Sequence, residues 1–257
     1  NNLDKKNKNK IVALTCYTSQ FSKILDKYAD ILLVGDSLGM VVYGHDDTLS
    51  VTIRMMIDHG KAVVNTTKNS LVVVDLPFST YESSKEKAYE VAAKILSETG
   101  ANAIKLEGGV ELASTVEFLT KRGIPVMGHV GLMPQRLKMI GGFNSMGHTK
   151  NQEIKILNDA KAITNSGAFS IVIEAVKERL GKNISEQLQI PTIGIGAGRF
   201  CDGQIIVLDD LLGIFDNFTP KFVKKYGRLG QAAEEAVKQY SMDVKNKKFP
   251  GLKNVYK

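Results

Sequence analysis

Cysteine is scarce in this 257-residue chain, which carries only Cys16 and Cys201. Two are too few for a disulfide framework, and they lack the paired spacing of a zinc site, so both are expected to be reduced thiols. Long apolar runs are missing as well. No stretch approaches the roughly 20 residues of a membrane span, and no basic, apolar and small-residue series resembles a signal peptide. A soluble cytoplasmic protein is the expectation, with no membrane partner. Charge is not of one sign either: 34 Lys and Arg stand against 27 Asp and Glu, a balance of +7. Much of that excess lies in "DKKNKNK", "KFVKKYGR" and "VKNKKFPGLKNVYK", which read as solvated lysine surface. With no RNA-binding motif and no basic stripe interleaved with aromatics, no nucleic-acid partner is expected.

No Gly-x-Gly-x-x-Gly follows the first apolar run, which argues against an open dinucleotide-binding sheet. What is present is a series of eight apolar, β-branched runs: "IVALTC" at 11, "ILLVG" at 31, "LVVVDL" at 71, "AIKLEG" at 103, "PVMGHV" at 125, "SIVIEA" at 170, "PTIGIG" at 191 and "IIVLDD" at 205. Helical patterns separate most of them. One places Ala88, Val91, Ala92, Ile95 and Leu96 on one face, with Ser83 and Glu86 as a capping box and Gly100 as the stop. Another places Ile154, Leu157, Ala160 and Ile163 in a stripe after a Thr149/Gln152 box, with Gly167 as the stop. Alternating strands and helices predict a parallel sheet, and eight units in about 250 residues predict a (β/α)₈ TIM barrel. Only "AGRFCDGQ" separates runs seven and eight, too little for a helix. No Pro/Ser-rich linker interrupts the series, so residues 1–257 are expected to form a single barrel with short terminal extensions.

In such a barrel the C-terminal strand ends converge on one mouth. They offer Asp36 and Ser37 after the second strand, Asp75 on the third, Lys105 and Glu107 on the fourth, His129 on the fifth, Glu174 on the sixth and "GIGAG" on the seventh. Charges embedded in apolar strands are costly and need compensation. Three carboxylates from adjacent strands, Asp36, Asp75 and Glu107, suit a hard cation such as Mg²⁺. Taken singly, an Asp after a strand also reads as a helix cap or turn residue. Lys105 lies two residues before Glu107 and so shares its face of the strand; it suits a substrate carboxylate or a structural ion pair. Glu174 has no adjacent Arg or Lys and suits a general base. His129 reads as an oxyanion donor or as a histidine satisfied within the structure. The glycines of "GIGAG" fit a phosphate cradle or close backbone packing.

Together "LVGDSLGMVVYG", "VVVDLPFSTY", "AIKLEGG", "VMGHVGLMPQ", "IVIEAV" and "PTIGIGAG…CDGQIIVLDDLLG" resemble the ketopantoate hydroxymethyltransferase family over nearly the whole chain from Ile11. The resemblance implies a barrel of the phosphoenolpyruvate/pyruvate type. It also implies transfer of a hydroxymethyl group from 5,10-methylenetetrahydrofolate to 3-methyl-2-oxobutanoate through a Mg²⁺-stabilised enolate, giving 2-dehydropantoate for pantothenate synthesis. Carried over by motif, the metal positions are Asp36, Asp75 and Glu107, the oxo-acid contacts are Asp36, Ser37, Asp75 and Lys105, and the catalytic residue is Glu174. A homodecamer is also implied. The family usually has a proline soon after the glutamate, where this chain has Lys177. The nearest rival is a lyase or mutase on the same kind of metal barrel, but its KKCGH-like cysteine loop is absent from the sequence.

Overall fold

The computed structural model of the chain describes Lys6 and residues 9–142, 144–214 and 219–256. Among the described residues eight strands form: β1 (Ile11–Thr15), β2 (Ile31–Val34), β3 (Leu71–Asp75), β4 (Ala103–Lys105), β5 (Val126–Gly131), β6 (Ser170–Glu174), β7 (Thr192–Ile195) and β8 (Gly203–Ile206). Each pairs in parallel with the next, and β1 pairs with β8, so the sheet closes into a barrel. All eight apolar runs are therefore strands. No helix forms between β7 and β8, as the short connector requires. Two compact units divide the chain, Asn1–Val207, which contains the barrel, and Leu208–Lys257.

Side chains on a strand alternate faces, and the barrel interior takes every second one. Ile11, Ala13, Ile31, Leu33, Val73, Ala103, Met127, Val172, Ile193 and Ile205 pack there as one apolar cluster drawn from all eight strands. The same parity carried toward the C-terminal ends gives Asp75 above Val73, Lys105 and Glu107 above Ala103, His129 above Met127 and Glu174 above Val172. The polar layer thus stands directly on the apolar one.

The helices differ from the sequence reading in detail. The Lys85–Thr99 helix buries Ala88, Val91, Ala92 and Ile95 as expected, but its cap is Ser84, which accepts from the Lys87 N–H; the box at Ser83 does not form. In the Lys150–Asn165 helix Thr149 accepts from the Gln152 N–H as expected. The Gln152 side chain, however, takes the N–H of His148, not that of Thr149. The buried stripe there is Ile156, Asp159, Ala160 and Ile163, and Ile154 is exposed. A polar residue, Asp159, holds a core-facing position because it accepts the Val110 N–H, which simple apolar counting could not anticipate.

Gly131 ends β5 with φ +97, and a Cβ there would stand 2.3 Å from the Glu174 carbonyl oxygen. Gly100 ends its helix at φ +74, where a Cβ would meet nothing closer than Val64 Cγ1 at 3.5 Å. Gly131→Ala is therefore expected to cost both the left-handed backbone and a wedge between β5 and β6, at least about 3 kcal/mol. Gly100→Ala is expected to cost only the backbone preference, about 1–2 kcal/mol. Urea unfolding of the two variants checks the ranking, and equal losses would remove the wedge argument.

Candidate functional site

Asp36, Asp75, Lys105, Glu107 and His129 are all buried, and Glu174 is nearly so, with a side chain 13% exposed. The structure brings these six together at one end of the barrel, as the strand ends predict. The Asp36 N–H donates to Asp75 Oδ2 at 3.1 Å, which ties the end of β2 to β3. Lys105 Nζ forms an ion pair with Asp75 Oδ1 at 2.8 Å. Its partner is thus a carboxylate one strand away in register, Asp75 facing Lys105 across β3 and β4. Ser37 opens the short Leu38–Val41 helix without capping it, and its hydroxyl instead meets the Tyr17 hydroxyl at 2.8 Å.

His129 lies between two glutamates. Its Nδ1 is 3.4 Å from Glu107 Oε1 and its Nε2 is 3.2 Å from Glu174 Oε2. Glu174 lacks a cation beside it in sequence, and the neighbouring strand supplies one in space. Both ring nitrogens stand at ion-pair distance without hydrogen-bond alignment.

Burial sets the charge states. Burial first, then the neighbouring Asp75 and Glu107 carboxylates, lift Asp36 well above the usual carboxylate range. Burial also raises Asp75, against the pull of Lys105. Burial opposes ionised Glu107 too, but His129 and Lys105 hold it below its ordinary value. The Lys105 ammonium is disfavoured by burial, yet the surrounding carboxylates, Asp75 foremost, keep it above its ordinary value. Burial and Lys105 oppose a charged imidazole, but Glu107 and Glu174 outweigh them and raise His129 to about 9.

Four carboxylates, Asp36, Asp75, Glu107 and Glu174, thus face two cations, Lys105 and His129. Fully ionised, the cluster is left two negative charges in excess, the charge of one divalent cation. The donor set is all oxygen, which suits a hard ion. The residues therefore fit Mg²⁺ on electrostatics and donor chemistry. Among the described residues, no three His, Cys, Asp or Glu side chains are already drawn into a metal cage. Lys105 and a glutamine, Gln135, hold the aspartate oxygens instead.

Gln135 and Tyr81 are the site residues that sequence reasoning missed. Gln135 is buried at the mouth against Asp36 and Glu107, and Tyr81 is buried against Gln135. Both are neutral, so a search for embedded charge passes over them. Their signal was position: each follows the strand-end motif of β3 or β5 by a few residues. The "GIGAG" glycines serve packing, since a Cβ on Gly198 would strike Glu178 at 2.4 Å and one on Gly194 would crowd Cys201 at 3.0 Å. Cys16 and Cys201 are free and buried, and burial pushes the Cys16 thiol up to about 11.

The chain matches the family model described as Ketopantoate hydroxymethyltransferase over residues 2–252. It is 53% identical over 247 residues to the 3-methyl-2-oxobutanoate hydroxymethyltransferase of Rhizobium etli, covering 96% of this chain and 90% of the relative. To the enzyme of that name from Brucella canis it is 50% identical over 246 residues, with 96% and 90% covered. Among solved structures, phosphonopyruvate hydrolase in complex with oxalate and Mg²⁺ superposes with a TM-score of 0.62 at 11% identity, covering 95% of this chain and 88% of that one. A 2,3-dimethylmalate lyase of the PEP mutase/isocitrate lyase superfamily gives 0.58 at 13% identity, with 97% and 88% covered. At such identities the structural likeness is one of fold.

The raised His129 value carries a sign. Its ordinary value is near 6.5, so the stability it contributes is complete below about pH 6.5 and is lost as pH rises through about 9. Metal-free protein is expected to lose on the order of 3 kcal/mol over that window. Its His129 ring resonance is expected to titrate near 9 by NMR. A midpoint near 6.5 would show that the two glutamates do not hold the ring as described.

Proposed function

The chain belongs to the ketopantoate hydroxymethyltransferase family and is a transferase, and from that premise we propose that it converts 3-methyl-2-oxobutanoate to 2-dehydropantoate with 5,10-methylenetetrahydrofolate as donor. The observation that carries this reading is the buried set of four carboxylates against two cations at the barrel mouth, which when fully ionised has two negative charges in excess. Asp36, Asp75 and Glu107 would hold Mg²⁺, as their oxygen donors and uncompensated charge allow. When bound, the ion supplies Lewis-acid stabilisation of negative charge developing on the keto oxygen. Lys105, the buried ammonium of the cluster, receives the oxo-acid carboxylate, and Asp36, Ser37 and Asp75 complete its contacts. Glu174 removes the proton from C3, oriented by His129 at 3.2 Å; C3 then bonds to the folate methylene carbon, both C–N bonds of that methylene break, a water supplies the hydroxyl, and tetrahydrofolate leaves.

We further propose that the protein works in the cytoplasm as a homo-oligomer, a decamer by family resemblance. No helix among the described residues is long and apolar enough to cross a membrane. The Leu229–Lys245 helix buries none of its residues and leaves Val237, Tyr240, Met242 and Val244 exposed. A helix with so much uncovered apolar surface is suited to a partner.

Solvent-deuterium exchange at C3 of 3-methyl-2-oxobutanoate, followed by NMR with Mg²⁺ and no folate, tests the half-reaction. Glu174→Gln keeps size and removes basicity, so exchange is expected to fall by about 10²- to 10⁴-fold while metal binding persists. Asp36→Asn and Asp75→Asn are expected to lose Mg²⁺ binding by calorimetry in the presence of oxo acid. Undiminished exchange in the Glu174 variant, or wild-type metal binding in both Asp variants, would remove these assignments. Light scattering gives the assembly: a stable monomer at working concentration would overturn the oligomer.

A further inference from the structure

A neutral side chain sits among the three carboxylates, and nothing in the proposed chemistry uses it. Gln135 lies in a one-turn 3₁₀ helix, Pro134–Arg136, just beyond β5. Its Nε2 donates to Asp36 Oδ2 at 2.8 Å and to the Leu76 carbonyl at 2.9 Å. Its Oε1 accepts from the Tyr81 hydroxyl at 2.5 Å, and its backbone N–H donates to Glu107 Oε2 at 3.1 Å. One residue therefore binds the chain at the ends of β2, β3 and β4.

The amide has only one orientation that satisfies these partners. The Leu76 carbonyl can only accept, so the NH₂ group must face it. The Tyr81 hydroxyl already accepts the Glu107 N–H at 3.3 Å and has one proton to give. Its contact with Gln135 Oε1 is shorter than the 3.2 Å to the Glu107 carbonyl, so that proton goes to the amide. Neutrality matters as much as reach. A lysine or arginine here would hold Asp36 equally well, but it would supply positive charge where the cluster's deficit is what attracts a cation.

We propose that Gln135, its amide held in one orientation by the Tyr81 hydroxyl, is a positioning residue that presets Asp36 and Glu107 for a divalent cation. This rests on the reading of those carboxylates as metal ligands. The Gln135 amide holds one oxygen of Asp36 and its backbone N–H holds one of Glu107, whose other oxygen faces His129, so both carboxylates lose rotational freedom before the ion arrives.

Mn²⁺ binding followed by electron paramagnetic resonance, with no substrate present, reads the site without turnover. Gln135→Met keeps length and packing, removes the amide's hydrogen bonds to Asp36, Leu76 and Tyr81, and keeps the backbone N–H on Glu107; it is expected to weaken Mn²⁺ binding by about 10- to 100-fold. Tyr81→Phe is expected to weaken it less, and its effect to shrink in the Gln135→Met background, because the part of it that acts through the amide is already gone there. Melting of the metal-free proteins separates this from a scaffold role, which would lower stability and leave Mn²⁺ affinity unchanged. Should Gln135→Met fail to fold, Tyr81→Phe carries the test alone. Binding lost in Asp36→Asn but kept within twofold in Gln135→Met and Tyr81→Phe would overturn the positioning role by itself. Wild-type binding in Asp36→Asn would instead overturn the metal reading, and the positioning role with it.

Discussion

Everything at the mouth of this barrel follows from one imbalance: four carboxylates and two cations gathered where water is largely excluded. In water such a cluster would be screened and unremarkable. Inside the barrel, burial and then the neighbouring carboxylates Asp75 and Glu107 raise the proton affinity of Asp36 well above the usual carboxylate range. The chain tolerates this because Lys105 and His129 are wedged between carboxylates from both sides, so that every cation neutralises one partner and weakens the repulsion of a second. A cluster built this way is costly to fold and ready to gain from a divalent ion.

The barrel makes the imbalance possible. Parallel strands end at the same level, and period two sends Asp75, Lys105, Glu107, His129 and Glu174 to the same interior as the apolar cluster beneath them. No single strand carries more than two of these groups, so the charge is assembled only when the barrel closes. Gly131 shows how tightly the closure is set. Its missing side chain lets the backbone pass beside the Glu174 carbonyl, and Leu132 N–H then donates to that carbonyl at 2.9 Å. The residue proposed as base is therefore fixed by its backbone as well as by His129.

The eight strands and the convergence of charge were legible because both depend on local pattern: β-branched runs for the strands, a carboxylate or amine at each run's end for the site. The helix caps were legible to within a residue, since Ser83 and Ser84 are chemically alike and only backbone dihedrals decide between them. Three things were not legible. The pairing of Lys105 with Asp75 and of His129 with Glu174 depends on strand register, which no single segment encodes. Asp159 broke the apolar stripe of its helix because its partner lies 49 residues away. Gln135 and Tyr81 escaped notice because neutral donors carry no charge signal, although their hydrogen bonds span more strands than those of any charged member of the cluster.

The C-terminal unit has the opposite problem from the barrel. Its Leu229–Lys245 helix is long enough to form, but Val237, Tyr240 and Val244 fall three and four residues apart on one face that the chain itself leaves exposed. Within the unit, Tyr240 meets the Phe249 ring edge-on at 5.4 Å, which covers a fraction of that face. Helical stability in proteins comes chiefly from packing an amphipathic face and only weakly from propensity, so a helix of this composition is held most firmly when something outside the chain covers it. The barrel completes its core from its own strands, whereas the C-terminal helix does not complete its own. The charged cluster draws on residues from Asp36 to Glu174 and the exposed apolar face on residues from Val237 to Val244, so the two features belong to different stretches of sequence.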